Sequence, residues 1–155
     1  CWQDIRKIMI KVKMDFDLRK INLDLSKELN LAGQIISKDH FTRLERGQDA
    51  NEKQMTPLKD ATIERKGFNQ ILVDTGKMRN LVVDKATKAS QEVNVHPGEK
   101  QKYKKSNVTM SDVGGFHQEG NKNLPKREWF GISKKAEANI TKMITHRIDR
   151  ELRRA

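Results

Sequence analysis

Cysteine is almost absent: Cys1 is the only one in 155 residues, so no disulfide can close within the chain and cysteine-ligated zinc is excluded. That usage fits a reducing compartment. No run of about 18 apolar residues occurs, so no membrane-spanning helix is expected. The opening stretch, Cys1 to Met14, carries charge at Asp4, Arg6, Lys7, Lys11 and Lys13 and has no secretory pattern. Aromatics are scarce. Trp2, Phe16, Phe41, Phe68, Tyr103, Phe116, Trp129 and Phe130 are not interleaved with basic residues as a base-stacking platform requires. His40, His96, His117 and His146 are scattered, with no pair at ligand spacing on one helix, so neither a metal nor another cofactor is expected. His117, near Glu119, reads as a structural histidine. A phosphate-binding loop is ruled out too: Gly76–Lys77 is followed by Met78, and no glycine lies five positions before Gly76.

What is present is charge. Charged residues make up 34% and hydrophobic residues 35%, which is polar for a self-contained globule and implies loops or surface that become buried on assembly. Net charge is +11, which attracts nucleic acid, anionic lipid or acidic protein without choosing among them. The length suits one domain over 1–155.

Ile8, Ile10, Val12, Met14 and Phe16 alternate with polar residues, Met9 apart, which predicts a strand with one buried face. A long helix should follow, capped by Asp17 and stopped at Gly47. Its apolar stripe is Leu18, Ile21, Leu25, Leu29, Ala32, Ile35, Ile36 and Leu44. Thr56–Pro57 leads into a short helix over Leu58 to Lys66, broken by Gly67. Ile71 to Val73 reads as a buried strand, and Asp74–Thr75–Gly76 as the turn or helix start that follows. Leu81 to Asp84 and Glu92 to Val95 form an antiparallel hairpin joined by Lys85 to Ser90, and Pro97 ends the second strand.

A basic loop at about 97–107 holds Lys100, Lys102, Lys104 and Lys105. A further strand is expected over Asn107 to Ser111 or Gly115 to Gln118, punctuated by Gly114, Gly115 and Gly120. Asn121 to Arg127 is irregular. Ser133 then caps a closing helix whose stripe is Ile132, Ala136, Ile140, Met143 or Ile144, Ile148 and Leu152. Its other faces are cationic, and the cations near its C-terminus suit the helix dipole. The predicted class is α+β: a small, mostly antiparallel sheet packed by a long N-terminal helix and a C-terminal helix.

Three segments have a further pattern. Thr56–Pro57–Leu58 through Thr62 to Lys66–Gly67 is similar to a P-L-x-x-x-T-x-x-x-K-G stretch. Leu72–Val73–Asp74–Thr75–Gly76–Lys77–Met78–Arg79 is similar to L-x-D-T-G-x-L-R. His117 to Gly120, followed by Leu124–Pro125–Lys126–Arg127–Glu128–Trp129–Phe130–Gly131–Ile132–Ser133, is similar to H-x-x-G then I-P-x-R-x-F-x-G-L-S. In this order they resemble the virion morphogenesis, or tail-completion, family of Mu-like and P2-like contractile-tailed phages. The resemblance covers roughly residues 18 to 150, most of one domain. Met55 stands where the family often has Trp, Lys126 where a small residue is common, and the lysine-rich loop lies outside the pattern.

The resemblance implies a structural virion protein, not an enzyme, that acts at the tail–neck junction after assembly in the host cytoplasm. The implied partners are further copies of itself in a ring such as a hexamer, the tail tube protein, and head connector or neck proteins, with DNA passing nearby and no membrane. Within the motifs, Gly76 allows a tight turn and Pro125 fixes an extended approach. Arg127 has a planar fork for a carboxylate or backbone carbonyls. Trp129 and Phe130 bring apolar area to the last helix, and Gly131 lets that helix come close. The expected interface residues are Arg127, Trp129 and Phe130, with Lys100, Lys102, Lys104 and Lys105 as a contact arm; core packing is the competing role for the aromatics.

Three other readings stand beside this one. One is a head-closure or neck adaptor. Another is a basic nucleic-acid-binding accessory protein, using the lysine loop and the cationic last helix on phosphates. The third is a dimeric aspartic protease, because Ile71 to Gly76 is similar to the Asp-Thr-Gly motif of retroviral-type enzymes, in which two carboxylates share a proton. Lys77 replaces the small residue of such enzymes, and two long helices do not suit their β-rich fold.

Overall fold

The structure is a computed structural model that describes residues 10–13, 23–98, 102 and 107–154. Its elements are β1 (Ile10–Lys13), α1 (Ser26–Glu45), α2 (Asp60–Lys66), a 3-10 turn (Lys77–Arg79), β2 (Val82–Asp84), β3 (Glu92–His96), α3 (Met110–Glu119) and α4 (Lys134–Leu152). The class is α+β, as expected. The three strands are antiparallel in the order β1-β3-β2, with Val12 opposite Val93 and Val83 opposite Val95. The predicted hairpin is therefore β2–β3, and the first strand is present over Ile10–Lys13. Its other predicted positions lie outside the described residues.

The stripe of α1 packs on this sheet. Leu25, Leu29, Ala32, Ile36 and Leu44 are buried, and Gly47 ends the helix with a left-handed φ of 67°. Leu18 and Ile21, with the expected cap Asp17, lie outside the described residues; the helix itself starts at Ser26. A side-chain clamp fixes that start. Asp24 Oδ1 accepts from the Ser26 amide at 2.9 Å, and Gln91 Oε1 accepts from the Leu25 amide at 3.0 Å. Helix and sheet approach closely at Gly33, where a Cβ would lie 2.7 Å from Val83 Cγ1 and 2.9 Å from Val93 Cγ2.

Helix α4 runs antiparallel to α1. Arg147, near its end, pairs with Glu28, near the start of α1, at 3.2 Å. At the other end Ser133 caps α4 by accepting from the Ala136 amide at 3.1 Å, as its sequence predicts. Ala136, Ile140 and Ile144 are buried, whereas Leu152 is 54% exposed because the last turn projects past the core. The short helix before Gly67 is α2, which begins at Asp60.

Two expected strands are absent. The segment from Asn107 to Gln118 contains α3 instead. Thr109 and Asp112 form a capping box: the Thr109 hydroxyl accepts from the Asp112 amide, and the Asp112 carboxylate accepts from the Thr109 amide. Gly114 lies inside this helix because Trp129 presses on it. A Cβ there would come within 2.5 Å of Trp129 Cζ2, and the indole Nε1 donates to the Gly114 carbonyl at 2.9 Å. Ile71 to Val73 is a turn, not a strand. Leu72 has a left-handed φ of 58° while its side chain is buried, so the chain reverses where a strand would extend.

Arg43 ties these layers together. It is 3% exposed. Its Nε donates to Asp39 Oδ2 at 2.9 Å, its Nη1 to the Asp49 carbonyl at 2.9 Å, and its Nη2 to the Gly131 carbonyl at 2.8 Å. Asp39 Oδ1 in turn accepts from the Ser133 hydroxyl at 2.8 Å.

Replacing Gly114 with alanine gains about 0.5–1 kcal/mol of intrinsic helix preference but forces the indole aside, which costs about 1–3 kcal/mol. Urea denaturation of Gly114→Ala should give a lower midpoint than wild type. A raised midpoint would show that the indole yields freely.

Candidate functional site

An open groove of about 570 Å³ lies between α2, the turn around Asp74, α3 and the loop before Trp129. Each wall is held by a local device. The 3-10 turn begins at Gly76, whose φ of 76° lets the chain turn back after Asp74 and Thr75. Gly120 ends α3 with a φ of 69°. A Cβ there would meet the Lys126 backbone nitrogen at 2.6 Å, so glycine admits the returning loop and Pro125 to the groove wall. The floor is aliphatic: Leu72, Met78 and Met110 are buried beneath it.

Arg127 closes the construction. Its side chain is 5% exposed and donates from Nε and Nη2 to the Thr56 carbonyl at 3.2 and 3.1 Å. Its own amide donates to the His117 carbonyl at 2.7 Å. One residue therefore joins the approach to α2, the end of α3 and the connecting loop. Burial lowers its pKa from the ordinary value, and the carbonyls of Thr56 and Pro57 that accept from it are held in place by the backbone.

The rim is cationic. Lys59, Arg65, Lys66, Lys77 and Lys122 line it with Arg127, and Asp74 is the carboxylate among the lining residues. Lys66 Nζ donates to the Gln70 carbonyl at 2.6 Å and lies 4.6 Å from the Phe68 ring centre. Burial lowers the Lys66 pKa, Asp74 opposes that, and Arg65 and Arg127 reinforce it. His117 faces this positive field. Its Nδ1 is buried without a hydrogen-bond partner among the described residues. Burial first, then the charges of Arg127 and Lys66, hold its pKa down at about 4.

The residues singled out in the sequence divide into groups. Asp74, Thr75, Gly76, His117, Pro125 and Arg127 come together at the groove. Gly131 lies against Ala50, where a Cβ would be 2.7 Å from the alanine methyl, so the close approach there is made by the loop before α4 and not by the helix itself. Trp129 and Phe130 are corrected as interface residues. They are 0% and 8% exposed and pack around His40, with ring centres 5.2 and 6.3 Å away, so the chain's own core covers them. Arg127 is likewise turned inward, and carbonyls, not a neighbour's carboxylate, occupy its fork. Lys102 is exposed, and its carbonyl accepts from Lys77 Nζ at 3.3 Å. Lys100, Lys104 and Lys105 lie outside the described residues.

Arg43 and the rim cations Arg65, Lys66 and Lys122 were not singled out. Lys66 belongs to the first quoted motif, and Arg43 follows Asp39 at helical ion-pair spacing, so both had a readable signal. Asp74 sits exposed on a turn of a helix-rich fold. Among the described residues no helix is long and apolar enough to cross a membrane. No protein-family model, curated protein or solved structure matches the chain.

Two predictions follow from these buried groups. Arg127→Ala should lower stability by about 1–3 kcal/mol, since the Thr56 carbonyl loses its donors; an unchanged urea midpoint would return Arg127 to the surface. The second concerns histidine. His40 is buried, its Nε2–H donates to the Met78 carbonyl at 3.0 Å, and burial holds its pKa at about 4 against an ordinary 6.5. The unfolded chain takes up protons below about pH 6.5, whereas the folded chain waits until about pH 4. Stability is therefore full above that window and falls as pH drops through it. Lowering the pH from about 7 to about 5 should cost about 2 kcal/mol for His40 alone, read by urea denaturation. A flat profile would mean that the imidazole titrates normally in the fold.

Proposed function

We propose that this protein is a structural virion component of a contractile-tailed phage that completes the tail or joins it to the head. One observation supports the reading above others. The three segments that resemble the tail-completion family are spread from Thr56 to Ser133, yet they converge on one groove through the bonds of Arg127 to Thr56 and His117. Motifs that matched by accident have no reason to build one feature.

In this reading the protein acts by geometry, with no bond made or broken. Copies associate head to tail into a closed ring, which gives two unlike faces, one for the tail tube and one for the head connector. Since Trp129 and Phe130 are internal, the contacts between copies fall to exposed surface such as Leu31, Phe68 and the cationic face of α4. The site of action is the tail–neck region of the virion. A neck adaptor differs from a tail terminator only in which neighbour each face meets.

A second reading, an accessory nucleic-acid-binding protein, is favoured by the exposed Lys134, Lys135, Lys142, Arg150 and Arg153 of α4. Electron microscopy of lysates from a phage lacking the gene separates the two. Filled heads beside free tails, some of abnormal length, are the expected result. Normal infectious particles would remove the virion role and leave the nucleic-acid reading.

A further inference from the structure

We propose that the groove is a docking site for an acidic, extended segment of a partner protein, which lays an apolar side chain on the floor of Leu72, Met78 and Met110 and carboxylates against the rim of Lys59, Lys66 and Lys122. The proposal goes beyond the virion reading and stands or falls separately, because it concerns the isolated protein.

Charge complementarity selects the sign of the occupant. Six cations line the groove against one carboxylate, Asp74. Such clustering raises the local potential and draws anionic groups in. Lys66 is half-buried beside this floor, and a partly desolvated cation gains more from an incoming carboxylate than a fully solvated one.

The floor selects the kind of anion. It is built from aliphatic and thioether side chains, and methionine in particular adapts its shape to an apolar guest. A single-stranded nucleic acid would instead stack its bases on flat rings, and among the described residues that line the groove there is no Phe, Tyr or Trp. An inorganic anion would meet the rim and leave the apolar floor uncovered. A cavity of about 570 Å³ falls within the roughly 300–1,000 Å³ typical of sites that enclose a compact guest, here one side chain with its flanking backbone. An acidic peptide with one apolar residue satisfies rim and floor together.

The test uses purified full-length protein and fluorescein-labelled peptides, amidated at the end, in which Asp and Glu flank a single Leu, Ile, Met or Phe. Anisotropy should show saturable binding of at least one peptide, lost when its apolar residue becomes Ser. The paired substitution Lys59→Glu with Lys122→Glu, both on exposed side chains, should weaken that binding about tenfold or more. Lys134→Glu with Lys135→Glu on α4 makes the same charge change away from the groove and should leave binding within about twofold. Binding should also raise the pKa of the His117 imidazole, followed by its NMR shifts. Equal weakening by both pairs would overturn the proposal in favour of general charge attraction. Binding indifferent to the apolar residue, displacement of the peptide by inorganic phosphate alone, or tighter capture of oligothymidylate at the same rim would each overturn it, as would no saturable binding by any peptide.

Discussion

The buried guanidinium of Arg43 is the constraint from which most of this architecture follows. A charge taken out of water is costly unless its donors are satisfied and its sign is balanced. Here both conditions are met by parts of the chain far apart in sequence: Asp39 one turn earlier, the Asp49 carbonyl after the helix, and the Gly131 carbonyl some 88 positions later. The segment before α4 cannot drift without costing the buried Arg43 the Gly131 carbonyl. Asp39 completes the circuit by accepting from Ser133, the residue that caps α4. One ion pair thus sets the end of α1, the loop after it and the start of α4.

Fixing residues 129 to 133 fixes what leans on them. Trp129 reaches from that segment into the core, and its ring and Nε1 locate α3 through Gly114. Helix α3 presents His117, Met110 and Val113 to the groove, and Arg127, two residues before the indole, bonds across to Thr56. The groove is therefore a consequence of how the core is tied rather than a separate loop feature. Its walls come from α2, a 3-10 turn and α3, none of which pairs with the sheet, so the sheet and α1 act as the platform on which the site is assembled.

Periodicity made the platform legible. Of the described stripe positions, Leu25, Leu29, Ala32, Ile36 and Leu44 are buried and Ile35 is half-buried, and the β2–β3 pairing falls within a residue of the expected bounds. Other features depended on distant atoms. Ile71 to Val73 is an apolar run too short to separate strand from turn, and the left-handed Leu72 decides for the turn. In α3 the glycines looked like breaks because local propensity weighs against them, while the ring that requires Gly114 arrives from Trp129. The readable sign there was Thr109 and Asp112 at capping-box spacing. Trp129 and Phe130 illustrate another limit: large aromatics serve cores and interfaces alike, and composition does not tell which. For the groove, the motif residues at its turns were readable, whereas the rim cations became a cluster only when α2 was folded against the loop after α3.

The electrostatics of the groove also bear on stability. Lys66, Arg65 and Arg127 are held near one another; burial pulls the Lys66 pKa down, Asp74 opposes that, and the two arginines add to the lowering. Burial, with the same positive field adding to it, keeps the His117 imidazole neutral. Repulsion among these cations costs the folded chain some stability, and an anion bound at the rim would relieve what Asp74 does not. Any anion that prefers the folded state then raises stability by mass action. Charge that weakens the isolated chain is, on this account, the same charge that favours a partner, and a fold anchored elsewhere by Arg43 can tolerate it.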